Sequence, residues 1–320
     1  MIPKPRFVYF GTNQLSVIVL RHLLKAGFKP EAVITPPDAP VGRKQILVPC
    51  PLKLEAETQG FKIVQPYSLK KDFTGIEKLL AFQFDLGVVA AYGRLIPAEI
   101  LAHFPRGVLN VHPSLLPQYR GPSPIQTALL NGDKQTGVTI MLLDEQMDHG
   151  PILAQGGLKI GADAYFAELF ERLANRSGEL LLKTIPQWLN GQIVPAAQNE
   201  SQAVICKKLE WQDGRIDLNK PAQEIYNQIR ALSHEPGCWL EWRIKNNELR
   251  IMKITKARPL DPQFIILNSI PGLRELNKQL VLVCKNGGLL LEQVQPQGKR
   301  VMTAKEFLAG YGRFLKQYPT

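Results

Sequence analysis

No stretch of this 320-residue chain approaches the ~20 consecutive apolar residues that a membrane-crossing helix requires. The longest, such as Phe84–Tyr92, are less than half as long. The opening Met1-Ile2-Pro3-Lys4-Pro5-Arg6 carries no signal-peptide core and no small-residue cleavage site, and it leads directly into a strand-like segment. The expectation is a cytoplasmic protein with no membrane partner. Cysteine is equally scarce. Cys50, Cys206, Cys238 and Cys284 are the only four, no two form a CxxC pair, and in a chain of this length they read as reduced thiols. Internal repeats and low-complexity tracts are absent.

A dinucleotide-binding glycine fingerprint is also missing. The first strand-like run, Arg6–Phe10, ends in Gly11-Thr12, but Asn13-Gln14-Leu15-Ser16 follows where a GxGxxG motif needs further glycines. The acidic residue that such a site places about 20 residues on would be Glu31, which opens the next strand instead of closing it. A dehydrogenase-type site is rejected on these grounds, and Gly11 is expected to serve the strand–turn–helix connection.

The material that is present is globular: 45% apolar and 21% charged residues, which excludes a disordered tail or a collagen-like fibre. The length suits two domains at about 150 residues each. The formal charge of +11 is unevenly spread. Residues 1–205 hold 20 Lys+Arg and 17 Asp+Glu, a balance of +3, whereas residues 206–320 hold 19 and 11, a balance of +8. Such asymmetry points the second part toward a polyanion, or marks a basic surface with no partner.

Hydrophobic patterning alternates strand and helix through the first part. Arg6–Phe10, Glu31–Thr35, Lys62–Val64, Asp85–Ala91, Gly107–Val111, Val138–Leu143 and Ile152–Ile160 read as strands. Leu15–Ala26, Leu52–Thr58, Ile76–Phe82, Pro97–His103, Pro124–Asn131 and Asp163–Leu189 read as helices. The predicted class is α/β, a Rossmann-like doubly wound parallel sheet over residues 1–189, with ligands outside the carboxyl ends of its strands. Residues 190–205 are polar and read as a linker. From 206 to 320 one helix, Pro221–Leu232, precedes short alternating runs at Trp239–Ile244, Glu248–Thr255, Gln279–Lys285 and Gly288–Val294, with Asn286-Gly287 as a hairpin signal. That texture predicts a small β-barrel.

Three segments carry polar chemistry. Asn110 and His112 stand two apart near the carboxyl end of a buried strand, so alternation places them on one side: an amide donor beside a titratable ring. A histidine there is as consistent with a structural role as with a catalytic one. Asp144-Glu145-Gln146-Met147-Asp148-His149-Gly150 gathers three acids and a histidine after the strand Val138–Leu143. Its spacing matches no familiar metal site, and an acid from it is positioned to orient or charge His112, without the spacing saying which acid. Pro36–Lys44 is a proline-stiffened loop ending in Arg43-Lys44, either a solvated loop or a phosphate contact.

Taken together, these residues resemble the methionyl-tRNA formyltransferases among the folate-dependent formyltransferases. The resemblance runs through Phe10-Gly11-Thr12, Pro37-Asp38, Gly42-Arg43, Ala91-Tyr92-Gly93, Asn110-Val111-His112, Ser114-Leu115-Leu116-Pro117, Tyr119-Arg120-Gly121, Thr136–Met141, Met147-Asp148-His149-Gly150 and Gly298-Lys299-Arg300. It implies the formyltransferase fold followed by an OB-like barrel. It implies transfer of a formyl group from 10-formyltetrahydrofolate, without a metal, to the amino group of methionine on initiator tRNA. The matching catalytic residues are Asn110, His112 and Asp148. Ser114, Leu115, Leu116 and Pro117 match part of the folate site, and Arg43, Lys44, Lys299 and Arg300 match tRNA contacts of a protein expected to be monomeric. Formyl transfer passes through a tetrahedral adduct bearing an oxyanion. On this reading Asn110 donates to that oxygen, His112 donates to it or shuttles the amine's proton, and Asp148 charges or orients His112. A formyltransferase for a sugar nucleotide or a glycinamide ribotide shares the same core, and a non-catalytic tRNA-binding protein would not need all three groups.

Overall fold

A buried apolar run and a capped amphipathic segment set the first step of the fold. β1 (Phe7–Gly11) is buried at every position. Gly11 allows a close approach: a Cβ on it would lie 2.6 Å from Ser16 Oγ. That hydroxyl accepts from Thr12 N at 2.9 Å and donates to Ala90 O at 2.6 Å. Gly11 thus serves the turn, as its sequence context suggested. Asn13 caps the helix Gln14–Lys25, its Oδ1 accepting from Leu15 N at 3.0 Å.

In this computed structural model, which describes residues 4–42, 44–70, 82–243, 248–261 and 270–317, the alternation continues. β2 (Ala32–Ile34), β3 (Ala39–Val41) and β4 (Ile46–Val48) precede the helix Pro51–Thr58 and β5 (Ile63–Val64). Then come β6 (Leu86–Ala90), the helix Ala98–Leu101, β7 (Val108–His112), the helix Pro124–Leu130, β8 (Gln135–Leu142), β9 (Ile152–Lys159) and the helix Phe166–Leu189. Of the expected helix Ile76–Phe82, residues 76–81 lie outside the described residues. The loop expected at Pro36–Lys44 is partly a hairpin: β3 and β4 pair antiparallel with Val41, Ile46 and Leu47 exposed. Among the described residues no helix is long and apolar enough to cross a membrane.

The main sheet runs β5-β2-β1-β6-β7-β8-β9. Its first five strands are parallel, as the βαβ pattern requires, but β8 and β9 are antiparallel additions. The short loop from β8 to β9 explains the second of these, because only antiparallel neighbours can be joined without a crossover. β8 therefore ends beside the start of β7, with Leu142 opposite Leu109 and Thr139 opposite His112.

The chain groups into two compact units: Met1–Pro124, Gln135–Lys159 and Phe170–Lys207 form one, and Ile125–Lys134, Ile160–Leu169 and Lys208–Thr320 the other. The stretch 190–205 is strapped along the first unit. Ala196 pairs with Ile152, and Arg120 exchanges backbone bonds of 2.9 and 2.8 Å with Val204 and Cys206.

In the second unit the helix Ala222–Leu232 precedes β10 (Cys238–Arg243), β11 (Leu249–Pro259), β12 (Gly272–Leu276), β13 (Gln279–Cys284), β14 (Gly287–Pro296) and β15 (Met302–Thr303). The helix Ala304–Gln317 follows. The strands form one antiparallel sheet, β10-β11-β14-β13-β12 with β15 on β14. The small β-domain expected after the first part is thus present as an antiparallel sheet, and among the described residues β10 and β12 are not paired with each other. Trp242, Phe307 and Tyr311 pack ring against ring at centroid distances of 5.0 to 5.7 Å.

Candidate active site

The site grows from the last residues of β7. Parallel neighbours on one side and β8 on the other leave Val108–His112 wholly buried. Strand alternation then brings Asn110 and His112 to one face, at 7% and 5% exposure. His112 Nε2 lies 2.9 Å from Tyr119 O. A carbonyl can only accept, so Nε2 carries the proton and Nδ1 is left to face the site.

Asp148 meets both side chains. Its Oδ1 accepts from Asn110 Nδ2 at 3.2 Å and stands 3.5 Å from His112 Nδ1. Its Oδ2 accepts from Gly121 N at 2.8 Å. The acid was expected at the carboxyl end of the strand beside β7. Because β8 is antiparallel, that end lies at the wrong level, opposite Leu109. The loop between β8 and β9 instead carries Asp148 back to His112. Gly121 is required at its own position: its φ is +112°, and a Cβ there would lie 2.6 Å from Cys206 O. The Asn110 amide makes one side-chain hydrogen bond, to Asp148, so among the described residues its second N–H is uncommitted.

Asp144, another acid of that loop, has a different partner from Asp148. Asp144 Oδ2 lies 2.6 Å from His149 Nδ1, and His149 Nε2 lies 3.6 Å from Glu200. Glu200 in turn takes both Arg120 terminal nitrogens, at 2.9 and 2.6 Å. The Arg120 hydrogen bond holds the Glu200 carboxyl below the usual carboxylate range, and the same bond raises the Arg120 guanidinium.

Sequence reading passed over Gln198. Its Nε2 donates to Asp148 O at 2.9 Å and to Gly150 O at 2.8 Å, while its Oε1 accepts from Arg120 Nε at 3.0 Å. It stands in a polar stretch that reads as a linker, and no local periodicity marks it. Arg120 lay inside the quoted motif Tyr119-Arg120-Gly121, but its burial at 6% exposure was not foreseen.

The remaining candidates are dispersed. Ser114 is fully buried, and its hydroxyl donates to Gln118 O at 2.6 Å, so that hydroxyl is already spent. Thr139 Oγ1 donates to Ser114 O at 2.7 Å and accepts from Leu116 N at 3.1 Å. Gln155 donates to Leu116 O at 2.8 Å. Leu115 and Pro117 are half-buried and Leu116 is buried. Lys44 is exposed on the turn between β3 and β4, and Arg43 lies outside the described residues. Lys299 and Arg300 are exposed after β14, with Arg300 3.3 Å from Glu306.

Comparison with known proteins covers almost the whole chain. The formyl transferase model matches residues 6–185, and the formyl transferase C-terminal domain model matches residues 208–312. The chain is 37% identical over 308 residues to the methionyl-tRNA formyltransferase of Halalkalibacterium halodurans, covering 96% of this chain and 95% of the relative. It is 38% identical over 308 residues to the protein of the same name from Chloroflexus aurantiacus, covering 95% and 96%. Among solved structures, an N-formyltransferase from Helicobacter canadensis in complex with folinic acid and dTDP-3-aminofucose gives a TM-score of 0.66 at 21% identity, covering 91% of this chain and 99% of that one. HypX from Aquifex aeolicus in complex with tetrahydrofolic acid gives 0.65 at 17% identity, covering 99% of this chain and 48% of that one. At such identities the likeness is one of fold.

Proposed function

The chain belongs to the formyl transferase family, and from that membership we propose that it transfers the formyl group of 10-formyltetrahydrofolate to the amino group of methionyl initiator tRNA, giving N-formylmethionyl-tRNA for translation initiation. One observation carries the mechanism: Asn110 and His112 converge on a single carboxylate, Asp148, and among the described residues the Asn110 amide keeps one N–H uncommitted. The incoming amine forms a C–N bond to the formyl carbon while the bond from that carbon to the folate nitrogen breaks. The carbonyl oxygen gains negative charge on the way, and the spare Asn110 N–H is the donor for it. His112 Nδ1 takes the amine's proton and returns it to the departing nitrogen. Asp148 faces the cationic ring at Oδ1 and is itself held by Gly121 N and Asn110. An amine nucleophile needs no acyl-enzyme, which agrees with the committed Ser114 hydroxyl.

The segment Ser114–Pro117 contributes to the folate site through its backbone and through Leu115 and Pro117, since the Ser114 hydroxyl is occupied. The basic second part, with Lys299 and Arg300 exposed, meets tRNA phosphates, and Arg43 and Lys44 meet the acceptor end. The enzyme acts in the cytoplasm as a monomer, to be seen as a single 35.9 kDa species in sedimentation. The deciding experiment is transfer of labelled formyl to methionyl initiator tRNA beside a His112→Ala control. Label should enter the charged tRNA and be lost in the control. Label entering an amino-sugar nucleotide or glycinamide ribotide, with none in the tRNA, overturns the acceptor assignment.

A further inference from the structure

Asp148 stands in a backbone conformation that side chains other than glycine seldom adopt. Its φ is +52°, in the left-handed region where Cβ crowds the following carbonyl. Aspartate tolerates that region best when its carboxylate bonds to its own nearby backbone. Here both carboxylate oxygens are taken by distant groups, Asn110 and Gly121. The loop backbone needs another hold, and the Gln198 amide supplies it. Its two N–H groups go to the two carbonyls that flank His149, Asp148 O at 2.9 Å and Gly150 O at 2.8 Å.

The orientation of that amide is itself determined. Arg120 Nε lies 3.0 Å from Gln198 Oε1. A guanidinium only donates, so the amide oxygen must face it and the NH2 must face the loop. Arg120 is in turn fixed by its two-pronged contact with Glu200. Its own position in the chain matters too. Tyr119, before it, holds His112 through its carbonyl, and Gly121, after it, holds Asp148 through its N–H. One short segment therefore grips both groups by its backbone and steadies Gln198 by its side chain.

We propose that Gln198 is a positioning residue for Asp148, oriented by Arg120. This rests on the reading of Asp148 as catalytic. A displacement of about 1 Å at reacting groups can cost about a hundred-fold in rate, so loss of the Gln198 hold should appear in turnover rather than in substrate affinity.

Gln198→Glu in the full-length enzyme is the sharpest variant. It keeps the shape and still accepts from Arg120, but turns an oxygen toward the two loop carbonyls. At pH 7.5 the expected fall in kcat is about ten- to a hundred-fold, with KM for formyltetrahydrofolate and charged tRNA within about two-fold. As the new carboxyl gains a proton it can donate to one carbonyl, so the ratio of variant to wild-type rate should climb only as pH falls toward the ordinary glutamate value of about 4.3. Gln198→Ala should lose kcat without that recovery. Arg120→Lys should cost little more once Gln198 is alanine, because it acts through the same amide. If kcat of Gln198→Ala stays within about two-fold of wild type, or if only KM rises, the positioning role is overturned. Should Gln198→Glu not fold, the kcat-against-KM split of Gln198→Ala decides alone. Asp148→Asn is run in parallel: an undiminished rate there sinks the catalytic reading, whereas a lost rate there with intact Gln198 variants sinks only the positioning role.

Discussion

The two units solve opposite electrostatic problems. In the first, the groups proposed to react are buried and cross-tied. Both Asp148 oxygens have partners, His112 faces a carbonyl and a carboxylate, and the Gln198 amide is committed at both ends. In the second, charge is plentiful and loosely held. Residues 206–320, a stretch that overlaps this unit without coinciding with it, carry a balance of +8, and Arg300 has a side-chain exposure of 83% beside its partner Glu306. Lys253 and Arg215 lie over the stacked rings of Trp211 and Trp239, at 4.9 and 5.8 Å. Fixed dipoles in a buried site act without reorganising, which serves a developing oxyanion. Solvated cations reach a polyanion from a distance, but salt screens them. Rate and salt dependence should therefore separate by unit.

The largest effect is expected where that separation begins. Asn110→Ala removes the proposed oxyanion donor and should lower the single-turnover rate about 10²–10³-fold. The slope of tRNA affinity against salt concentration should not change, as measured by binding titrations at several ionic strengths. A changed slope with little rate loss would erase the distinction between the units. Next in size is the double change Lys299→Ala with Arg300→Ala. Each phosphate contact removed should flatten the slope of log affinity against log salt by about 0.9 on a duplex region, while kcat at saturating tRNA stays put. An unaltered slope would mean that these cations face solvent only.

How much of this could be read in the sequence depended on whether the information was local. The parallel strands and their helices were legible because buried alternation and glycine stops sit within each segment, as in Phe7–Gly11 followed by Asn13 and Gly27. The convergence of Asn110 and His112 was legible from period two alone. From spacing the approach of Asp148 was visible only as one acid among three, because the antiparallel course of β8 is a tertiary choice, and only the family resemblance singled it out. Gln198 was invisible, since its partners lie 48 and 50 residues away in sequence. Two further elements were missed. The helix Ala304–Gln317 begins with a capping box in which Thr303 Oγ1 accepts from Glu306 N and Glu306 Oε2 accepts from Thr303 N, but Gly310 and Gly312 weaken its helical pattern. β12 hid because its hairpin to β13 turns through Asn277 and Lys278, both at positive φ, without a glycine. The hairpin expected at Asn286-Gly287 exists, though its turn residues are Lys285 and Asn286 and Gly287 already pairs with Cys284.

The smallest expected effect sharpens the comparison most, because each unit holds an acid displaced in the same direction by a different cause. Arg120 hydrogen-bonds Glu200 and lowers its carboxyl, whereas Glu306 is lowered first by the backbone N–H of Thr303. A carboxyl lowered on folding contributes stability above its unfolded value, near 4.3 for glutamate, and loses that contribution as pH falls through the folded value. The Tm difference between wild type and Glu200→Gln, and likewise Glu306→Gln, should thus be present at pH 6 to 7 and close below about pH 4. Both carboxylates are substantially exposed, so both differences should be small. Salt tells them apart. Raising ionic strength at neutral pH should shrink the Glu200 difference, which depends on an ion pair, and leave most of the Glu306 difference, which depends on a capping hydrogen bond. Equal salt sensitivity in thermal melts would show that the capping bond contributes little and that Arg300 dominates the environment of Glu306.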